Sequence, residues 1–229
     1  PLSATALAEI AQEAGLPAGA MNVLHGYGTE ICARLCANRL VSLVSFTGKP
    51  ETARQVAAAA SATLKTCHFE VGGRNPAVVF GDIDLEAVAD GIARGIFLNS
   101  GQCCYCCPRI LVEEKIFDRF RNVLVQKAMG LSTQVGDPYL ANTLLGPLIS
   151  PLHVNAAEAV VHAAIAAGAK VLCGGKPVPK AALAARSKGG YFFLPTIVDA
   201  SASQILPFEG PEILAPICML FKFPDVEKG

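Results

Sequence analysis

The chain has 229 residues, with 19 Lys and Arg set against 19 Asp and Glu and a pI near 7.2. That balance offers no global charge to attract nucleic acid or an anionic membrane, so a small-molecule substrate fits better. Although 52% of the residues are hydrophobic, no uninterrupted apolar segment reaches the roughly 20 residues of a membrane span, and no stretch reads as a signal peptide. Nine cysteines, an odd number without paired spacing, suit a reducing, cytoplasmic compartment better than a disulfide framework. The chain opens on Pro1 instead of Met and enters a helix at once, which reads as a piece of a longer protein.

Ser3 is a candidate N-cap for an amphipathic helix through Ala14, ended by Gly15-Leu16-Pro17. Met21-Asn22-Val23-Leu24 reads as a short buried strand, Gly26-Tyr27-Gly28 as a turn, and 29–38 as a helix. A second β-rich run, 41–46, closes on Thr47-Gly48 and precedes a helix over 50–63. Strand and helix alternate with short connections, the pattern of a parallel, doubly wound α/β sheet. A strand leads to Glu70, Gly72-Gly73 breaks it, and Pro76-Ala77-Val78-Val79-Phe80 forms another. Asp82 and Asp84 then stand where caps are favoured, before a helix from about Leu85 to Leu98. Arg109 to Val112 is read as a strand, 114–131 as a long amphipathic helix, 151–167 as a helix and 170–172 as a strand. The segment 176–188, rich in Lys, Ala and Pro, is read as surface, and Gly190 to Thr196 as strand. No internal repeat is present.

The chemistry concentrates at Asn99-Ser100-Gly101-Gln102-Cys103-Cys104-Tyr105-Cys106-Cys107. An apolar helix is forced to end just where cysteines arrive, so a thiol is presented on a tight turn. Such a thiol becomes reactive as the thiolate when backbone N–H groups face it. Two other readings stand beside this one. Cysteines often serve as small buried hydrophobes, and the overlapping C-x-x-C pairs could bind zinc, although the second ligand pair that a structural site needs is missing from the neighbourhood. Gly26 and Gly28 are weak evidence for a phosphate loop, since position 31 is Ile and the full G-x-G-x-x-G spacing is absent.

Upstream, Phe69-Glu70-Val71-Gly72-Gly73-Arg74-Asn75-Pro76 is similar to E-L-G-G-K-x-P, and the cysteine stretch is similar to F-x-N-x-G-Q-x-C. In this order and with this gap they resemble the two signature motifs of the aldehyde dehydrogenase superfamily. Further likenesses run along the chain to about Phe223: Asn22 to Gly28 resembles N-V-V-x-G-x-G, Ser45-Phe46-Thr47-Gly48 resembles S-F-T-G-S, Gly190 to Thr196 resembles G-Y-F-x-x-P-T, and Glu212 to Pro216 resembles E-I-F-G-P.

The resemblance implies an NAD- or NADP-dependent oxidation of an aldehyde to a carboxylic acid. Residues 1–68 would be the end of a Rossmann-like cofactor domain and 69–229 most of the catalytic domain, in a full-length protein working as a homo-oligomer. It implies Cys104 as nucleophile, Glu70 as the base that activates water, and Asn99 as the residue ordering the loop and nicotinamide. Against an apolar wall, Glu70 would have a raised pKa suited to that work. Cofactor contacts are implied at Gly26, Gly28, Phe46, Thr47, Gly48, Lys49, Val71, Gly72, Glu212 and Leu214, and no metal is implied. Lys49, Leu214 and Ala215 depart from the family pattern. Two alternatives remain at this stage: a CoA-acylating relative using the same cysteine, which would commonly lack Glu70, and a catalytically silent protein on the same fold.

Overall fold

A computed structural model describes residues 2–73, 75–205 and 212–224. It divides into two compact units, 1–72 and 73–229. The boundary expected after His68 would cut a continuous strand, and the division falls instead at the glycine pair that follows it.

The first unit opens with helix α1 (Leu2–Glu13), inside whose first turn Ser3 lies instead of capping it. Helix α2 (Ile31–Ala37) is shorter than expected. Strand β1 (Leu43–Gly48) runs two residues further than the sequence suggested, so Thr47 and Gly48 belong to it. Helix α3 (Pro50–Ser61) follows, then strand β2 (Thr66–Val71), parallel to β1. Helix α3 buries Ala53, Val56 and Ala60, the apolar stripe that helical spacing demands. Met21 to Leu24 does not form the expected buried strand: β1 pairs only with β2 among the described residues, and Leu24 is 66% exposed. Apolar residues alone do not make a strand without a neighbour to take its backbone hydrogen bonds.

The second unit is a five-stranded sheet covered on both faces. Its strands are β3 (Pro76–Val79), β4 (Arg109–Glu113), β5 (Lys170–Cys173), β6 (Thr196–Asp199) and β7 (Ile217–Phe223). Their order is β3-β4-β7-β6-β5, parallel except for β5, which runs antiparallel to β6. Strand β6 starts only at Thr196, so the run from Gly190 to Pro195 is not the strand expected, although Tyr191 and Phe193 make isolated bridges to Leu148 and Pro177. Helices α4 (Leu85–Phe97) and α5 (Phe117–Ser132) enclose one core with Ile110, Val112 and Leu220. Helix α6 (Pro151–Ala166) encloses the other, with Val198, Ile217 and Met219. Strand β7 therefore sends alternate residues into both cores, the arrangement of a central parallel strand. Asp84 caps α4, accepting from the Ala87 N–H at 3.2 Å.

Candidate active site

Helix α4 ends in a turn of unusual hand. Asn99 (φ 50°, ψ 36°) and Ser100 (φ 57°, ψ 35°) are left-handed, and Gly101 follows at φ 72°. L-residues enter that region at a cost of about 1–2 kcal/mol each, so the turn persists only where its surroundings fix it. They do so at three points. The buried Ser100 hydroxyl donates to the Gly146 carbonyl at 2.8 Å. The Gln102 amide donates to the Asn99 carbonyl at 3.1 Å and accepts from the Ile149 N–H at 2.9 Å, tying the turn to the loop after it in space. Gly101 presses against the Ala215 carbonyl and Pro216, where any Cβ would collide with backbone.

The left-handed turn delivers four thiols in different settings. Cys104 is exposed, Cys103 and Cys107 are half-buried, and Cys106 is buried. The Asn75 side-chain amide donates to the Cys104 carbonyl at 2.6 Å and to the Cys106 carbonyl at 3.2 Å, so one group clamps both sides of Tyr105. Gly73 is equally constrained, since a Cβ there would run into the Cys104 carbonyl. Burial pushes the Cys106 thiol up to about 11, well away from a reactive thiolate. Tyr105 is also held above its ordinary value, chiefly by its hydrogen bond with the Cys103 side chain. Among the described residues, no group of three or more His, Cys, Asp or Glu is placed to hold a metal ion.

Beside the turn lies an open cavity of about 680 Å³, reached by Asn99, Gln102, His153, Tyr191 and Leu214. His153 is oriented by a 2.9 Å contact between its Nδ1 and the Ser150 hydroxyl. Thus Asn99 and Leu214, far apart in sequence, line one space, and Glu212 sits half-buried two residues before Leu214.

In the first unit the remaining candidates gather at one end of the small sheet. The parallel register sets Thr47 beside Glu70 and Gly48 beside Val71, and the Gly72 N–H donates to the Gly48 carbonyl at 3.3 Å. Gly72 adopts φ 71°, which turns the chain away directly after the strand. Lys49 occupies the N-cap of α3 in an extended conformation, with no side-chain capping bond. Phe46 packs edge-to-face on Phe69 with centroids 6.4 Å apart. Among the described residues the apolar wall expected around Glu70 is not found: its side chain is 69% exposed, with the His68 ring 3.8 Å away. Both lie on one strand face because they are two residues apart. Gly26 and Gly28 are exposed in the turn before α2. Arg74, in the motif that follows Glu70, lies outside the described residues.

Sequence reasoning assigned no role to Asn75, Ser100 or Gln102. Polar residues next to Gly-Gly and in a helix-ending turn were the available signal, but their partners lie up to 47 residues away.

Two parallel sheets flanked by helices, one of them carrying an exposed thiol after a left-handed turn, define a parallel α/β protein. The chain belongs to the aldehyde dehydrogenase family, whose sequence profile matches residues 1–229. It is 37% identical over 228 residues to the mitochondrial succinate-semialdehyde dehydrogenase of Arabidopsis thaliana, covering 99% of this chain and 41% of that protein. To the betaine aldehyde dehydrogenase of Brucella ovis it is 38% identical, covering 100% of this chain and 45% of the relative. Among solved structures, an NADP-dependent enzyme from E. coli superposes with a TM-score of 0.88 at 35% identity, over 100% of this chain and 45% of that one. A betaine aldehyde dehydrogenase from Staphylococcus aureus in complex with NAD+ superposes with a TM-score of 0.85 at 31% identity, over 96% and 42%. The chain thus spans less than half the length of these relatives. Among the described residues no helix is long and apolar enough to cross a membrane.

Proposed function

We propose that this chain carries the reactive thiol of an NAD- or NADP-dependent aldehyde dehydrogenase that oxidises an aldehyde to a carboxylic acid. The observation that carries the reading is the presentation of Cys104: an exposed thiol beyond a left-handed turn, its carbonyl clamped by Asn75, on the loop that follows the cavity-lining Asn99 and Gln102. Relatives named for succinate semialdehyde and betaine aldehyde support an aldehyde as substrate.

A dinucleotide fits the groups present. Ligands of parallel α/β sheets bind beyond the carboxyl ends of the strands. Here Thr47, Gly48, Val71 and Gly72 lie at those ends, and the α3 N-terminus beside Lys49 has no side chain capping it, which suits a phosphate. Phe46, Thr47, Gly48 and Lys49, with Val71 and Gly72, would hold the nucleotide, and a side chain added at Gly28 would meet only open space, leaving backbone there accessible. A backbone contact is also proposed at Gly26, where a Cβ would run into the Ile31 side chain. The Glu212 carboxylate would accept from ribose hydroxyls, with Leu214 and Asn99 bounding the nicotinamide side of the cavity. When bound, the cofactor accepts the hydride that the substrate carbon gives up.

The protein's own residues do the rest. The Cys104 thiolate adds to the carbonyl carbon, forming a C–S bond and an oxyanion that the Cys104 N–H steadies. Loss of hydride leaves a thioester on Cys104. Glu70, exposed and free to meet solvent, takes a proton from water as its oxygen attacks the thioester, and the C–S bond breaks to release the acid.

Kinetics of full-length variants test this. Cys104→Ser is expected to lose turnover on the order of 10⁴-fold or more with an unchanged melting temperature. Glu70→Gln is expected to keep one burst of reduced cofactor per site and then slow about 10²–10⁴-fold. Undiminished turnover in Cys104→Ser would sink the nucleophile assignment. Undiminished turnover in Glu70→Gln, with product appearing on an added thiol such as CoA, would favour an acyl-transferring enzyme.

A further inference from the structure

The proposed reaction uses one thiol of the four on the loop, and the other three are not equivalent. Cys103 and Cys106 occupy the first and fourth positions of a turn closed by a 3.0 Å hydrogen bond from the Cys106 N–H to the Cys103 carbonyl. The ends of such a turn lie within about 7 Å between Cα atoms, a range that overlaps the span of about 4.4–6.8 Å that a disulfide bridges. Their side chains point to the same place. Each sulfur approaches the Leu98 carbonyl, Cys103 at 4.0 Å and Cys106 at 3.8 Å. The overlapping pair is arranged differently. Cys104 has its carbonyl held by Asn75 and its side chain outside, while the Cys107 sulfur turns to the Tyr105 carbonyl at 4.0 Å.

We propose that Cys103 and Cys106 form a dithiol site that a hydroperoxide closes to a reversible disulfide, with Cys104 left outside the bond as a thiol. Of this pair Cys103, half-buried where Cys106 is buried, is the sulfur the oxidant reaches first. It attacks the distal peroxide oxygen, the O–O bond breaks, and the products are a Cys103 sulfenic acid and an alcohol, or water from hydrogen peroxide. The buried Cys106 thiol then attacks the Cys103 sulfur. The S–S bond forms as the S–O bond breaks, and the hydroxyl leaves as water with the Cys106 proton. Two thiols and one hydroperoxide thus give one disulfide, one alcohol and one water, and an added dithiol reverses the change by exchange. The bond would bracket Cys104 on both sides without consuming it. The assignment does not depend on Cys104 being the nucleophile of an aldehyde dehydrogenase.

Bond mapping in the full-length protein decides it. The protein is treated with one equivalent of hydrogen peroxide, denatured in an alkylating reagent, and cut with chymotrypsin after Tyr105, which separates Cys103 and Cys104 from Cys106 and Cys107. The expected result is a cross-linked peptide pair joined through Cys103 and Cys106, with Cys104 and Cys107 alkylated and the cross-link lost on adding dithiothreitol. Cys107→Ser is expected to keep the cross-link and Cys106→Ser to abolish it, with Cys103 passing to sulfinic acid. A bond through Cys104 or Cys107, a cross-link that survives in Cys106→Ser, or complete alkylation of all four thiols after peroxide would overturn the assignment. Since bonds are counted and not turnovers, a protein that fails to oxidise aldehydes before any peroxide is added, yet cross-links afterwards, would sink the proposed reaction and leave this site standing.

Discussion

At the scale of single residues, the site depends on backbone that only certain side chains tolerate. Gly101 combines a left-handed φ with contact against the Ala215 carbonyl, so its requirement for no Cβ is twofold. Gly101→Ala is expected to destabilise by at least about 1–2 kcal/mol from the conformation alone, and more through the clash, read as a lowered urea midpoint. Asn75 acts differently, through one amide shared between two carbonyls 29 and 31 residues away. Asn75→Ala leaves both carbonyls without that donor and is expected to lose about 1–3 kcal/mol, and to change the rate at which a small electrophile labels Cys104. An unchanged labelling rate would show that the clamp does not set the loop's geometry. Cys104 itself was legible from its motif, whereas Asn75 was not, because a side-chain amide's partners are fixed by folding and leave no local spacing in the sequence.

At the scale of elements, the helices and most strands follow from local pattern, with ends displaced by a residue or two. The departures share a cause. Ile217–Phe223 drew no strand expectation, yet β7 is the middle of the five-stranded sheet. A strand buried on both faces is uniformly apolar and shows no alternation to betray it. Met21 to Leu24 is the converse, an apolar run that meets no partner and stays irregular. Leu220 on β7 is fully buried in the core with Phe117 and Leu124. Leu220→Ala is expected to cost about 2–5 kcal/mol, visible as a fall in melting temperature. The exposed Leu64→Ala, at 92% exposure, should stay within about 0.5 kcal/mol.

At the scale of the whole molecule, the buried thiols give stability a direction with pH. Burial raises Cys106 from 9.0 to about 11, and burial also raises Cys173 and Cys218. A thiol with a higher pKa folded than unfolded keeps its proton in the fold while the unfolded chain releases its own. The folded state is therefore increasingly disfavoured as pH climbs above about 9 towards 11, and nothing is lost from this source below that window. Urea midpoints measured from pH 8 to 11 should fall with rising pH, less steeply in Cys106→Ser; a flat profile would contradict the burial of these sulfurs. The sequence by itself determined the α/β class, the family and the identity of the exposed cysteine, because alternating periodicity, helix-ending residues and motif spacing are local properties of the chain. Only the tertiary structure decided which strand is central, which cysteines are buried, and which amides hold the loop. Those depend on contacts between segments tens of residues apart, and it is the packing of the cores around the sheet that brings them together.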